Sequence, residues 1–193
     1  MKIYFLNQEK HFNAHLSLLR GIPIMEYDKE TLVEKCTEIT SALKIPFQDL
    51  DLDFLFDYQI FPSNIMTSLA EWKKGGRKMC VGDTIVQQIF IPPFRLFSLK
   101  MISGVRIAEI IDLPDKKGFS YETLEGHVEK GISTFTVESR NNQVVFKIHT
   151  FSRPGNFLTR IAAPLSVPYQ AFCTKSALHH LKEQLELRKE KTD

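Results

Sequence analysis

The chain has 193 residues, of which 43% are hydrophobic, enough for a single domain (1–193) with a sizeable core. Its 25 Lys and Arg against 23 Asp and Glu leave a net charge of +2, so no strong overall field attracts nucleic acid or anionic lipid, and only a local patch would do so. The three cysteines lack CxxC spacing and no stretch approaches the roughly 18 apolar residues of a membrane span, which predicts reduced thiols in a cytoplasmic protein.

The N-terminal segment, residues 1–50, is predicted to be mostly helical. Asp28 is a suitable N-cap for the clearest helix. The apolar positions after it recur at steps of three and four: Leu32, Cys36, Ile39 and Leu43. This spacing predicts a helix of about four turns with one buried face. Pro46 ends it, and the aromatic run 54–61 is then predicted to be a strand.

Residues 54–153 are predicted to form an antiparallel sheet. The stretches 83–91 and 101–113 are rich in β-branched residues, and 118–153 contains three alternating runs joined by turn signals. The side chains on one face of these three runs are mainly apolar or aromatic: Phe119, Tyr121, Thr123, Ser133, Phe135, Val137, Phe146, Ile148 and Thr150. Their neighbours are mostly polar, so one face of the sheet is predicted to be covered and the other solvated.

A long C-terminal helix is predicted over 155–188, because apolar residues recur there at steps of three and four. Pro164 and Pro168 predict a break near residues 163–167, with Ser166 as the cap of the main helix. A curved antiparallel sheet packed around such a helix is an α+β arrangement.

Four stretches resemble one family in their order and spacing. They are GFSYETLEGH, the TFTV strand, VFKIHTFSRP and RIAAPLSVPYQ, which together cover about residues 118–181. The chain is thereby identified as a member of the YndJ-like family, the domain of unknown function numbered 1990. It departs from the family pattern at Glu122, where the pattern has glycine, and at Ile132 and Ser133, where the pattern has two acids.

The family is in turn similar to the helix-grip proteins, which include the birch-pollen allergen and the START domains. This resemblance implies a seven-stranded antiparallel sheet that grips the C-terminal helix, with a ligand cavity between them. It implies no particular reaction. A small apolar molecule is therefore the expected partner.

The candidate ligand-binding residues lie on the inner face of the sheet, at its end, and on the helix: Phe119, Tyr121, Phe135, Phe146, Ile148, Arg153, Tyr169 and Phe172. Ordinary core packing explains the aromatic members equally well. Arg153 would either clamp an anionic group at the mouth of the cavity or fix the corner between strand and helix.

His127 is the one candidate for catalysis, as a general base acting with Tyr121 or Glu125 in a cyclase-like or hydratase-like enzyme. A structural imidazole that binds backbone groups of the hairpin is the alternative. No P-loop, GxGxxG, GxSxG or HExxH motif is present, so neither a cofactor nor a metal is expected. A third hypothesis is an interaction protein that docks a partner through a sheet edge or the N-terminal segment.

Overall fold

A computed structural model describes residues 2–42, 45–155 and 163–189. The described strands are β1 (Lys2–Tyr4), β2 (Val33–Ala42), β3 (Met66–Ala70), β4 (Thr84–Ile91), β5 (Leu99–Asp112), β6 (Lys116–Thr123), β7 (Glu129–Arg140) and β8 (Gln143–Pro154). The helices are α1 (Phe12–Leu19), α2 (Asp53–Phe56), α3 (Glu71–Lys74) and α4 (Ala163–Lys189).

All of these strands join one antiparallel sheet, in which seven follow the order β2-β8-β7-β6-β5-β4-β3 and β1 pairs with the start of β5. The sheet is curved, and α4 packs on its concave face against β2 and β8. The predicted helix-grip fold of the α+β class is confirmed.

The three strands predicted within 118–153 are present as β6, β7 and β8, in the expected register. Phe135 lies between Phe119 and Ile148 in the ladder, so the predicted inner residues share one face. The β7–β8 turn uses Asn141 and Asn142 at φ of 51° and 60°, the left-handed region that asparagine tolerates better than most residues.

The helix predicted after Asp28 is wrong, because residues 33–42 form β2, the edge strand that pairs with β8 along its whole length. Thr37, Ile39 and Ser41 alternate toward the core, a period of two that the three- and four-residue spacing of the apolar positions concealed. Pairing with an existing strand edge outweighs a weak local preference for helix. The described helix of the N-terminal segment is instead α1.

The predicted strand 54–61 is also wrong. Its start is the short helix α2, and the segment 47–60 lies across the concave face with Phe54, Leu55 and Ile60 fully buried. The region 71–82 begins with α3, whose Trp72 is buried in the same core. Apolar side chains from short helical and irregular segments therefore fill the core on the concave face of the sheet.

Helix α4 begins at Ala163, and residues 156–162 of the predicted 155–188 helix lie outside the described part of the chain. The predicted break at 163–167 is not found, because the helix continues through Pro168. Pro168 lies in the second turn, where its missing amide costs the helix one backbone hydrogen bond. Farther along, Ala177, Leu178, Leu181 and Leu185 reach the core.

A second, smaller core lies on the convex face, where α1 contacts β4 and β3. Phe12 and Leu16 of α1 pack there against Val86 and Ile102. The β3–β4–β5 part of the sheet is thus covered on both faces, whereas the prediction of one solvated face concerned the three strands within 118–153.

Gly118 provides a test of how tightly the β6–β7 ladder is packed. A Cβ at this position would lie 2.0 Å from the backbone oxygen of Phe135, so the two strands would have to separate. We expect Gly118→Ala to lower the free energy of unfolding by about 3 kcal/mol. Gly75→Ala is the matched control, since its Cβ would meet no atom closer than 3.5 Å, and a change of only about 0.5 kcal/mol is expected. Urea denaturation of both variants measures this, and equal losses would contradict the packing described.

Candidate functional site

The concave face of the sheet has an apolar half and a polar half. In the apolar half, Phe119, Phe135 and Phe146 are at most 1% exposed. They are covered by the segment 47–60 and by the apolar side chains of the second half of α4. This end of the sheet is a packed core.

Ring contacts show how the apolar half is filled. Phe119 stacks on Phe135 with ring centroids 5.4 Å apart. Tyr58 approaches Phe119 at 6.1 Å and Phe61 approaches Phe135 at 6.4 Å. The predicted pocket-lining rings are therefore in contact with side chains of the chain itself on the side that faces away from the sheet.

A group of hydrogen-bonding side chains lies on the concave face beside this packed core. Its members come one from each of the strands β4 to β8: Gln87, Ser103, Tyr121, Ser133 and Thr150. Tyr121, Ser133 and Thr150 lie opposite one another in their ladders, and Gln87 lies opposite Ser103. Tyr121 itself pairs with Ile107, and its hydrogen bond with Gln87 connects the two sets. We call these five residues the polar row. Ser103 donates to the Gln87 Oε1 at 3.3 Å, and Thr150 donates to the Ser133 hydroxyl at 3.1 Å.

Tyr58, from the segment 47–60, lies over the polar row and is hydrogen-bonded to one of its members. The Gln87 side-chain amide donates to the Tyr58 hydroxyl oxygen at 2.6 Å. Tyr58 itself has a φ of 58°, a left-handed conformation that is strained for a bulky residue and persists only where the surroundings hold it. Strain of this kind is common at functional sites, and here it places one hydroxyl over an otherwise apolar core.

Both tyrosines of this cluster remain protonated. Burial raises the pKa of Tyr58 well above its usual value. Burial also raises the pKa of Tyr121, while hydrogen bonds with Ser133, Tyr58 and Gln87 act in the opposite direction. The row with Tyr58 is therefore a set of neutral donors and acceptors, with no ionised member.

The first half of α4 spans the polar half of the concave face and is fastened to it by polar contacts. The Tyr169 hydroxyl donates to the Phe90 carbonyl at 2.5 Å. Gln170 donates to Glu129 and accepts from Lys35 at 3.1 Å, and Glu129 also accepts from Ser152 at 3.3 Å. These contacts hold this part of the helix by hydrogen bonds, where the second half is held by apolar packing.

Two members of the polar row keep solvent access under the helix. Ser133 and Thr150 are only half-buried, although they lie on the face that buries Phe135 and Phe146 completely. Nearby, burial raises the pKa of Cys173 to about 11, so its thiol stays protonated and unreactive at neutral pH. In the polar half, Ser133 and Thr150 are thus the members of the row that solvent reaches.

A groove of about 680 Å³ lies at the β3 edge of the sheet. Its walls include Tyr58 and Phe61 on one side, Met66 and Thr67 of β3, and His180 of α4. Because Tyr58 also bonds Gln87, this one side chain separates the groove from the polar row.

The other predicted site residues lie in different places. Strand alternation puts Arg153 on the convex side, one residue past the inward-facing Ser152. Phe172 is 47% exposed on α4. Tyr121 and Ile148 lie on the concave face, at and beside the polar row.

His127 lies in the β6–β7 turn, where its Nδ1 is 2.9 Å from the Glu129 carbonyl oxygen and 3.1 Å from the Glu129 amide. The imidazole thereby braces the hairpin, the structural alternative for this residue. Glu125 is exposed, and the hydrogen-bond partners of Tyr121 are other members of the row. The structure therefore gives His127 and Tyr121 separate sets of partners.

Some residues of the row could be anticipated and others could not. Ser133 and Thr150 follow from strand alternation, since they share a face with Phe135 and Phe146. The sequence does not indicate Gln87 and Ser103 as site residues, because single polar residues in apolar strands are common. Tyr58 belongs to a segment that was predicted to be a strand, so its position over the row was missed.

Two further observations concern residues 2–42, 45–155 and 163–189. They contain no group of three or more His, Cys, Asp or Glu side chains arranged to hold a metal ion. None of their helices has both the length and the apolar character needed to cross a membrane.

Comparison with known proteins finds a matching family and a similar sequence. The family described as "Domain of unknown function (DUF1990)" matches residues 52–180. A "UPF0548 protein" from Deinococcus radiodurans is 36% identical over 72 residues, which cover 37% of this chain and 36% of the relative's length.

Two solved structures are also similar. A hypothetical protein from Helicobacter pylori superposes with a TM-score of 0.58 at 9% identity, over 85% of this chain and 97% of that one. A major latex-like protein from Panax ginseng has a TM-score of 0.40 at 20% identity, over 77% of this chain and 98% of that one. At such identity the Helicobacter structure supports the fold alone.

The pH dependence of stability tests the desolvation of the partly buried His127. Desolvation lowers the pKa of His127 from 6.5 to about 4, so between these values the unfolded chain binds a proton that the folded chain does not. Stability therefore falls as the pH drops through this window. Relative to His127→Asn, which keeps an acceptor for the Glu129 amide, the native protein should lose roughly 2 kcal/mol between pH 7 and pH 4.

Urea titrations at several pH values measure this difference. Parallel curves for the two proteins would show that His127 is protonated in the folded state, which would contradict its burial as a neutral imidazole.

Proposed function

We propose that this protein, which belongs to the DUF1990 family of domains of unknown function, binds a small uncharged molecule between the polar half of its sheet and helix α4. The polar row forms the floor of the site. A hydroxyl or carbonyl group of the ligand contacts the row, and the apolar body of the ligand lies against neighbouring apolar side chains.

The carrying observation is the polar row itself. Polar side chains inside a core have to be hydrogen-bonded, and these five residues lie beside a part of the face that is packed with Phe119, Phe135 and Phe146. The solvent access of half-buried Ser133 and Thr150 supports a site at this part of the row. A site for a ligand accounts for both features, whereas a purely structural core requires neither.

The chemistry of the row selects the class of ligand. Its hydroxyls and amide are neutral, and a charged group placed on them would lose its hydration without gaining an opposite charge from the row. The charged groups nearby, Glu129 and Lys35, are already hydrogen-bonded to Gln170. A neutral hydroxyl, ketone or amide would exchange hydrogen bonds with water for equivalent ones with Ser133 or Thr150, the two members of the row that solvent reaches. The proposed ligand is thus amphipathic and uncharged, a refinement of the small apolar molecule indicated by the sequence.

The eight residues predicted to contact the ligand have different roles in this proposal. Tyr121 and Ile148 contact the ligand from the sheet, and Tyr169 and Phe172 do so from α4. Phe119, Phe135 and Phe146 support the floor from the packed half. Arg153 has no direct part in the site, because it lies on the convex side.

Binding without covalent chemistry is the function that these contacts support best. The hydrogen bonds of His127 go to the Glu129 backbone, and Cys173 and the tyrosines of the site stay protonated at neutral pH. The three cysteines are free, which supports the cytoplasm as the compartment of the protein.

Nile red, an uncharged dye with a carbonyl group and solvent-sensitive emission, is a suitable probe for the site. The native protein should bind it with a blue-shifted emission. Ser133→Ala removes one hydrogen-bonding group from the floor and should raise the Kd about fivefold. Ser133→Leu places a bulky side chain in the space above the row and should raise the Kd by at least about tenfold.

Ser120→Ala is the matched control, since Ser120 is buried on the convex face and its hydroxyl has no hydrogen-bond partner. It should leave the Kd unchanged. Absence of dye binding to the native protein, or equal losses in Ser120→Ala and Ser133→Ala, would overturn the proposal. Circular dichroism of each variant separates loss of binding from loss of fold.

A further inference from the structure

The loop between β4 and β5 presents large apolar side chains to solvent. Phe94, Leu96 and Phe97 are 61%, 83% and 87% exposed. Phe5 and Leu6, directly after β1, are 81% and 77% exposed. We call these five residues the apolar patch. Soluble domains rarely expose so many large apolar groups together unless the surface binds something.

The two parts of the patch are neighbours. Tyr4 pairs with Lys100 in the β1–β5 ladder, so the chain leaves β1 toward the β4–β5 loop. Arg95 of the loop contacts Glu9 at 2.8 Å, and the Gln8 amide donates to the Gln88 side chain at 2.6 Å. Both segments therefore project from the same end of the sheet.

Internal hydrogen bonds brace the loop. The Phe94 amide donates to the Pro92 carbonyl at 2.7 Å, and Asn64 donates to the Pro93 carbonyl at 3.4 Å. The buried ammonium of Lys100 donates to the Ser98 carbonyl at 2.7 Å. The apolar side chains are thus held outward by a fixed backbone, and binding them would require little further ordering.

The charges around the patch favour an anionic partner. Lys100 is buried and Arg95 is paired with Glu9, so neither provides a free surface charge. The exposed cations of residues 2–10 are Lys2 and Lys10. Protruding aromatic and leucine side chains flanked by cations are the combination that inserts into the interface of an anionic bilayer.

We propose that the protein docks reversibly on an anionic membrane surface through the apolar patch, with Phe94, Leu96 and Phe97 entering the interface and Lys2 and Lys10 contacting lipid head groups. Docking brings the β4–β5 end of the sheet to the bilayer. Tyr169 of α4 binds the Phe90 carbonyl at that same end. The inference stands independently of the ligand site, because it rests on a different surface.

Vesicle flotation with the full chain tests the proposal. We expect binding to vesicles of phosphatidylcholine with about 30% phosphatidylserine, and weaker binding to phosphatidylcholine alone. The triple variant F94S/L96S/F97S should bind at least about tenfold more weakly. The variants Lys2→Gln and Lys10→Gln should each weaken binding to the anionic vesicles by roughly fivefold.

A matched triple variant, V81S/L113S/L187S, replaces exposed apolar residues away from the β4–β5 loop and should bind as the native protein does. Phe97→Trp adds an exposed indole, since the single native Trp72 is buried, and its emission should shift to the blue on anionic vesicles. Together these results would support docking by this patch.

Several results would overturn the proposal. They are no flotation of the native protein, equal losses in the two triple variants, or a dimer in sedimentation velocity that F94S/L96S/F97S dissociates while vesicles bind neither protein. In the last case a second copy of the chain covers the patch. Binding of Nile red with no vesicle binding would overturn docking and leave the ligand site standing.

Discussion

The packing of the segment 47–60 against one half of the concave face is the constraint on which the rest of the structure depends. Phe54, Leu55 and Ile60 fill the space over the apolar end of the sheet, together with the second half of α4. Once that end is closed, the remaining part of the helix has to span the end that carries the polar row. Helix α4 is therefore held by apolar packing at one end and by side-chain hydrogen bonds at the other, which is where the ligand is proposed to bind.

The strand block 118–154 could be read from the sequence because its alternation is regular and its turns use glycine and asparagine. Strand β2 could not, since an edge strand buries only part of one face and its few apolar residues happen to recur at helical spacing. The segment 47–60 was missed for another reason: its apolar side chains pack from short helical turns, and local pattern gives no sign of where such a segment lies. Tyr58, held in a left-handed conformation, belongs to this class.

The face of the sheet that carries the candidate site could be predicted from the sequence, but the polar residues of the site could not. The aromatic residues of the inner face were correctly placed on one side of the sheet, but sequence cannot show which of them the chain itself covers. Ser133 and Thr150 can be recognised as part of a polar site only together with Gln87 and Ser103, which come from strands distant in sequence. A row assembled across five strands depends on the register of every ladder between them.

Space for a neutral ligand above the polar row is the central claim. Titration of isotopically labelled protein with Nile red, followed by NMR, tests it most directly. We expect shifts concentrated at the amides of Ser103, Ser133 and Thr150 and at the side-chain amide of Gln87, with little change at Val137 in the packed half. Shifts confined to residues 94–97, or spread equally over both halves of the concave face, would contradict it.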